Sequence, residues 1–244
     1  MMANVSDALI VLPELFNTGY LFRNQAEVKK LSESVATGYT VSEMKKLAKK
    51  QNLTLVFGMA EAKSRQYFNS SVMITPAGKV FSYQKAHLFD REKLFFKPGM
   101  KLFTPVKVGD VKVGQMVCFD WFYPEVMRHL AVSGAQVVAH PSNLVLPWAQ
   151  EGMKIRALEN RVFTITANRI GTEKSGPVSL TFTGRSQIMS PAGEVLTSAG
   201  ERSETLKVVE IDPAEALDKH VTPQNDLFAD RRTALYKSLL RKVS

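Results

Sequence analysis

Residues 111–125 read VKVGQMVCFDWFYPE, and the fold turns on this stretch. The run up to Cys118 is mostly apolar with β-branched clusters, the pattern of a buried strand. Cys118, the only cysteine of the chain, ends that run. Asp120 and three aromatics follow, then Pro124 and Glu125, which suit the first turn of a helix. PEVMRHLAVSG continues with apolar residues at helical spacing. A thiol at a strand end, facing a strand-to-helix turn, has N–H groups close by, so a nucleophile and an oxyanion site can share one corner. The plainer alternative is that Cys118 is a small buried hydrophobe, the usual fate of a free cysteine. This stretch alone leaves both open.

On either side of it, segments recur in the same order. DALIVLPE at 7–14 resembles AQVVAHPS at 135–142, and LTLVFGMAE at 53–61 has VFTITANRI at 162–170 as its counterpart. SVMITPAGKV at 71–80 aligns with SQIMSPAGEV at 186–195. Each Pro-Ala-Gly predicts a hairpin turn between two strands. Three matches in register imply two similar halves about a pseudo-twofold axis. Helical stretches lie between the strands: QAEVKKLSESV and TVSEMKKLAKKQN in the first half, PEVMRHLAVSG and WAQEGMKIRALENRV in the second. Strands alternating with helices predict an α/β protein, and strands apolar on both faces predict cover on both sides. The expected architecture is two sheets face to face with helices outside, a four-layer α-β-β-α sandwich in a single domain over 1–244. A doubly wound single sheet is the second choice. VVEIDPAEALDKHV reads as a strand and a short helix, and NDLFADRRTALYKSLLRK as a polar turn leading into a basic amphipathic helix. The second half has a strand and a helix ahead of AQVVAHPS, whereas only MMANVS precedes DALIVLPE. The repeat therefore predicts that one strand and one helix, roughly 25 residues, are missing from the first half. It would follow that the natural gene starts upstream, that this form is less stable, or that another chain fills the gap.

Composition narrows the function. Of the 244 residues 45% are hydrophobic and 23% charged, as in ordinary globular proteins. A single cysteine excludes an intramolecular disulfide framework and a cysteine-rich zinc site, and favours a reducing compartment. The N-terminus lacks the basic region and small-residue cleavage site of a signal peptide, and no apolar run approaches a membrane span. A cytoplasmic protein is expected. Lys and Arg outnumber Asp and Glu by 32 to 23, but they are scattered. The densest cluster, KKLAKK at 45–50, reads as the solvated face of a helix, so neither nucleic acid nor membrane is an expected partner. The glycines form no dinucleotide fingerprint and no phosphate loop.

Three positions join Cys118 as candidates for chemistry. Glu14 ends an apolar strand, where a carboxylate must be paired to stay charged. Lys85 sits just past the first hairpin, where a lysine by itself reads as a solvated edge charge. Glu92 lies in the loop after it. PELFNTGY at 13–20, YQKAHLF at 83–89, GQMVCFDWFYPE at 114–125, HPSNLV at 140–145 and RALENRVF at 156–163 together resemble the nitrilase superfamily of carbon–nitrogen hydrolases, in particular its archaeal nitrilase and amidase branch. The resemblance runs from near Asp7 to the DRR at 230–232. It implies the α-β-β-α sandwich, homodimers or larger assemblies, and neither metal nor organic cofactor. It also says that members begin with the strand and helix the repeat finds missing.

The roles it implies are Cys118 as nucleophile, Glu14 as general base and later acid, and Lys85 as oxyanion stabiliser with the backbone N–H of Phe119. Glu92 orients substrate and base. Glu14, Lys85 and the helix start would supply thiolate at neutral pH. The expected reaction is hydrolysis of a small amide or nitrile through a thioester. A catalytically silent assembly or binding protein is the rival from another class. Trp121, Phe122, Tyr123, Asn143 and Trp148 are candidates for the pocket mouth, and the aromatics among them equally for core or subunit contact. A papain-like Cys–His pairing would call on His140, whose strand is equivalent to the one ending in Glu14. His87 reads as packing beside Lys85, and His129 as helix surface. The helix 124–134 and the tail are expected to form a twofold interface.

Overall fold

In a computed structural model, residues 5–240 are described. The first half runs β1 (Leu9–Val11), α1 (Gln25–Leu31), α2 (Tyr39–Gln51), β2 (Thr54–Lys63), β3 (Gln66–Ile74), β4 (Val80–Gln84) and the short α3 (Glu92–Phe95). The second runs β5 (Val106–Val108), β6 (Val111–Gln115), α4 (Pro124–Val132), β7 (Val137–Ser142), α5 (Ala149–Asn160), β8 (Phe163–Asn168), β9 (Thr172–Ser175), β10 (Val178–Thr181), β11 (Gln187–Met189) and β12 (Val195–Ser198). One sheet has the order β1-β2-β3-β4 and the other β12-β11-β8-β7-β6-β5. β1 runs parallel to β2, and β6, β7 and β8 run parallel to one another, while the hairpin strands are antiparallel.

The apolar pattern explains the layers. β1 and β2 lie against β7 and β8, and all six residues of β7 are buried, so both its faces are covered. Val56, Met73, Val113 and Ala139 share one apolar cluster with α4 residues Val126, Met127 and Leu130. Val41, Met44 and Ala48, on one stripe of α2, cover Leu55, Phe57 and Val72 of the first sheet. Each Val, Leu, Met or Phe side chain among these, fully buried, contributes about 1.5–3 kcal/mol. The expected four-layer sandwich is what forms. The two Pro-Ala-Gly turns match in detail. Gly78 and Gly193 both have φ +77°, and the flanking pairs Thr75 to Lys79 and Ser190 to Glu194 bond at 3.0 and 2.9 Å. The left-handed glycine is what lets each hairpin close.

Three segments depart from expectation. Residues 204–212 form no regular structure, so VVEID is not a strand. Its β-branched residues favour extension, but no strand lies beside it to complete a ladder. The short helix after it forms, as a 3-10 turn at Pro213–Leu217. The tail is a 3-10 helix, Thr233–Leu240, in place of the expected amphipathic α-helix, and residues 241–244 lie outside the described residues. The β9–β10 hairpin is an addition that the alternation of strand and helix did not predict. Among the described residues the first sheet holds four strands and the second six, and β1 is an edge strand while its counterpart β7 is flanked by β6. No described helix is long and apolar enough to cross a membrane.

Candidate active site

Two strained turns build the site. Leaving β1, the chain folds back over β2, where Gly58 N–H bonds the Pro13 carbonyl at 3.1 Å and Phe16 N–H bonds the Gly58 carbonyl at 3.0 Å. A Cβ on Gly58 would stand 2.4 Å from Glu14 Cα, so only glycine admits this crossing. The residue after Glu14, Leu15, has φ +47°. On the other side, β6 runs into a 3-10 turn, Cys118–Phe122, whose first residue has φ +41°. A left-handed non-glycine residue costs about 1–3 kcal/mol and persists only where its surroundings fix it. Asp120 does that fixing at Cys118. Its Oδ2 accepts from Val117 N–H at 3.0 Å and from the Tyr83 hydroxyl at 2.9 Å. Its Oδ1 accepts from His87 N–H at 3.2 Å and meets His87 Nδ1 at 2.8 Å. One buried carboxylate thus ties the residue before Cys118 to the segment that carries Lys85.

Lys85 is wholly buried, and its Nζ donates to Glu14 Oε1 and to Glu92 Oε1, each at 2.8 Å. Burial pulls its pKa down, but the carboxylates of Glu14 and Glu92 outweigh that and hold it well above the usual lysine range. Glu14 Oε1 also accepts from Asn69 Nδ2 at 2.7 Å, whereas Glu14 Oε2 is buried with no hydrogen-bond partner. Glu92 accepts from the Tyr20 hydroxyl at 2.7 Å and from Phe89 N–H at 3.2 Å. Burial raises its pKa to about 7, against the pull of Lys85. Tyr20 is held by Glu173, whose carboxylate accepts from Tyr20 and Leu21 N–H at 3.0 Å and pairs with Arg169.

Cys118 is 4% exposed and feels the charges of Glu14, Lys85 and Glu92. Burial pushes its thiol well up, Glu14 adds to this, and the opposing pull of Lys85 does not reverse it. This corrects the expectation of a ready thiolate: desolvation wins, and the resting sulfur keeps its proton. His140 is buried and neutral, with a pKa of about 4 through burial. Its Nε2 donates to the Cys118 carbonyl at 2.9 Å and its Nδ1 meets Thr166 Oγ1 at 3.0 Å, so neither nitrogen is available to the thiol.

The sequence candidates Glu14, Lys85, Glu92 and Cys118 therefore come together. Phe119 follows Cys118 in the first turn of the 3-10 helix, where N–H groups have no partner inside the helix. Asn143 reaches the same corner and donates to the Glu14 carbonyl at 2.8 Å. Trp121 is a core residue, its ring against Gly152 of α5. Phe122 and Trp148 are exposed, and Tyr123 stacks on His87 at 3.7 Å. Asp120 and Tyr20 were legible as members of quoted motifs, CFDW and NTGY. Asn69 and Glu173 carried no local signal. No group of three His, Cys, Asp or Glu able to hold a metal occurs among the described residues.

Residues 4–218 match the carbon-nitrogen hydrolase family. A nitrilase of Pyrococcus abyssi is 45% identical over 228 residues, covering 93% of this chain and 86% of that one. A crystal structure of a carbon-nitrogen hydrolase from Helicobacter pylori G27 superposes with a TM-score of 0.88 at 28% identity, over 97% of this chain and 87% of that chain. A mutant of the amidase from Nesterenkonia sp. AN1, with the acetamide moiety of fluoroacetamide added covalently at its active-site cysteine, superposes with a TM-score of 0.75 at 27% identity, over 95% and 83%. The chain belongs to the carbon-nitrogen hydrolase family of the nitrilase superfamily.

Proposed function

We propose that this carbon-nitrogen hydrolase cleaves small linear amides, with nitriles as the alternative substrate class, through a thioester on Cys118. The observation that carries this reading is the buried Lys85 held between Glu14 and Glu92 beside the strained Cys118 turn. An ammonium has three N–H donors, and the two carboxylates take two of them. The third is left for the oxygen of a bound carbonyl, together with Phe119 N–H, and one such donor changes kcat about 10²–10³-fold. Glu14 Oε2, without another partner, takes the thiol proton as sulfur attacks the carbonyl carbon. The C–N bond breaks as protonated Glu14 returns that proton to the leaving amine. Water then attacks the thioester with Glu14 as base, releasing the acid and restoring the thiol. Glu92 fixes Lys85 and Tyr20 around the substrate. The acetamide moiety on the active-site cysteine of the Nesterenkonia amidase mutant supports a nucleophilic role for Cys118 here.

The test is ammonia release from a panel of small amides, carbamoyl compounds and nitriles by wild type and Cys118→Ala. Release by wild type and none by the variant is expected. Equal activity in Cys118→Ala removes the nucleophile assignment. A second reading, assembly or binding without turnover, draws on the near-complete burial of all four groups. Mass spectrometry after incubation with substrate separates the two, since only the enzyme leaves an acyl group on Cys118. The working unit we propose is a homodimer or larger, joined through α4 and the tail. Those two elements border one groove that includes exposed Val132 and Tyr236. A monomer by sedimentation at micromolar concentration would overturn that.

A further inference from the structure

One carboxylate outside the cluster reaches into its geometry. The β9–β10 hairpin belongs to neither main sheet, and Glu173 stands on it opposite Leu180. Each oxygen of Glu173 accepts from Tyr20 N–H at 3.0 Å, and Oε1 also accepts from Leu21 N–H at 3.0 Å. Two successive N–H groups aimed at one anion form a small backbone nest. The approach is close: Gly19 has φ +83°, and a Cβ there would stand 2.8 Å from Glu173 Oε1. Arg169 completes the grip. Its guanidinium pairs with Glu173 Oε2 and lies 4.8 Å from the ring centre of Phe182, which meets Tyr20 edge-on at 6.1 Å.

What Glu173 holds is the stretch that leads from Glu14 to the hydroxyl on Glu92. Leu15 follows Glu14 directly, and its carbonyl accepts from Gly19 N–H at 3.1 Å. Tyr20 then sends its hydroxyl to Glu92 Oε1 at 2.7 Å. Burial keeps that hydroxyl protonated, well above the usual tyrosine range, so it donates. A donor on a carboxylate favours its ionised form. Glu92 faces Lys85 from the segment past β4, Glu14 from the end of β1, Tyr20 from the turn after it and the Cys118 thiol from the turn after β6. Asp90 and Arg91 border the same small cavity. Among the described residues the donors on Glu92 are Lys85, the Tyr20 hydroxyl and Phe89 N–H. The tyrosine needs its ring held from outside the cluster, because hydrogen bonds weaken steeply once their angle is lost.

We propose that Glu173, oriented by Arg169, is a positioning residue: through the backbone of Tyr20 it aims the Tyr20 hydroxyl at Glu92. The hairpin thus acts on the protons of the cluster without touching substrate. Its bearing on turnover rests on the hydrolase reading, and its test does not. Tm is measured against pH for each protein with Glu92 and with Glu92→Gln, and the difference isolates the contribution of Glu92. In wild type that contribution fades out at about pH 7. In Tyr20→Phe the fade-out should move to higher pH by about half a unit or more, because burial then meets one donor fewer. Glu173→Ala should move it the same way, and the double variant no further than Tyr20→Phe alone. Arg169→Ala should give a smaller shift in the same direction, and it decides the matter where Glu173→Ala does not fold. A hairpin that only adds stability would lower every Tm and leave the fade-out where it is in wild type. That outcome, no shift in Tyr20→Phe, or shifts that add in the double variant would each overturn the proposal. Wild type without ammonia release would overturn the hydrolase reading and leave this measurement to decide the positioning role.

Discussion

The two halves follow one plan and put opposite chemistry at equivalent places. At the end of β1 and past β4, the first half buries three ionisable side chains, Glu14, Lys85 and Glu92, joined through the Lys85 ammonium. At the end of β7 the second half buries the neutral residues His140 and Ser142, bound to each other, with His140 also bound to Thr166 and to the Cys118 carbonyl, and Asn143, which donates to the Glu14 carbonyl. At these places the second half is neutral and the first charged, while Asp120 fixes the cysteine turn; in the proposed mechanism the charged half would supply the protons and the electric field. Buried ions give little net stability even when well paired. Among the described residues, the half that holds them is also the one whose sheet has four strands, with β1 at its edge.

The comparison can be broken most severely at the charges. Cys118→Ala should bring turnover below detection. Lys85→Ala should lower kcat by about 10²–10³-fold with a smaller rise in KM, because the oxyanion exists mainly in the transition state. The same change should destabilise the fold by about 3–5 kcal/mol in urea denaturation, since two buried carboxylates lose their cation. A loss of stability under 1 kcal/mol would mean that the charged half does not depend on the pairing. In the neutral half, His140→Asn should destabilise by only about 1–3 kcal/mol, the scale of an orphaned buried hydrogen-bonding group.

Smaller effects sharpen the contrast. Gly58 aligns with Ala167 of the second half, which carries its methyl without difficulty. Gly58→Ala should destabilise by about 1–3 kcal/mol, because the added carbon meets backbone, and should lower kcat by moving Glu14. Ala167→Gly should leave kcat unchanged. Asp120→Asn should cost about 1–3 kcal/mol and depress kcat more than KM, as the Cys118 and Lys85 segments lose their common tie. The pH dependence of stability should tilt in opposite senses. Glu92, raised from an ordinary 4.5 to about 7, adds stability that is full below 4.5 and is lost as pH rises through 7. His140, lowered from 6.5 to about 4, adds stability that is full above 6.5 and is lost as pH falls through 4. Tm against pH for Glu92→Gln and His140→Asn should therefore flatten on opposite flanks, and flattening on the same flank would contradict both assignments.

What the sequence revealed was local in origin. Glu14, Lys85 and Cys118 each terminate or follow a strand, and strand ends show as a change from alternating or continuous apolar residues to turn residues. The hairpins showed through Pro-Ala-Gly because φ +77° nearly demands glycine. Residues 206–211 misled because β-branched composition states a preference, while a strand also needs a neighbour. The β9–β10 hairpin, TEKSGPVSLT, is polar and half exposed, so no periodicity marked it, and with it went the role of Glu173 in holding Tyr20. Trp121 could be a core or mouth residue until α5 crossed it with Gly152. Burial itself was the other hidden quantity. The motif suggested an activated sulfur, but only the depth of the site says that the proton stays on it.

Two buried acids around one buried base also act as a filter on what enters and leaves. With Lys85 charged, protonation of Glu92 changes the charge of the cluster by one, and its pKa of about 7 makes the two forms comparable at neutral pH. A neutral amide or nitrile, the proposed substrate, would meet no repulsion on entry. The acid formed from it would ionise, and its carboxylate would face Glu14 and Glu92 across a dry space where like charges repel strongly. On that reading turnover would drive its own product out, and carboxylates should make weak competitive inhibitors.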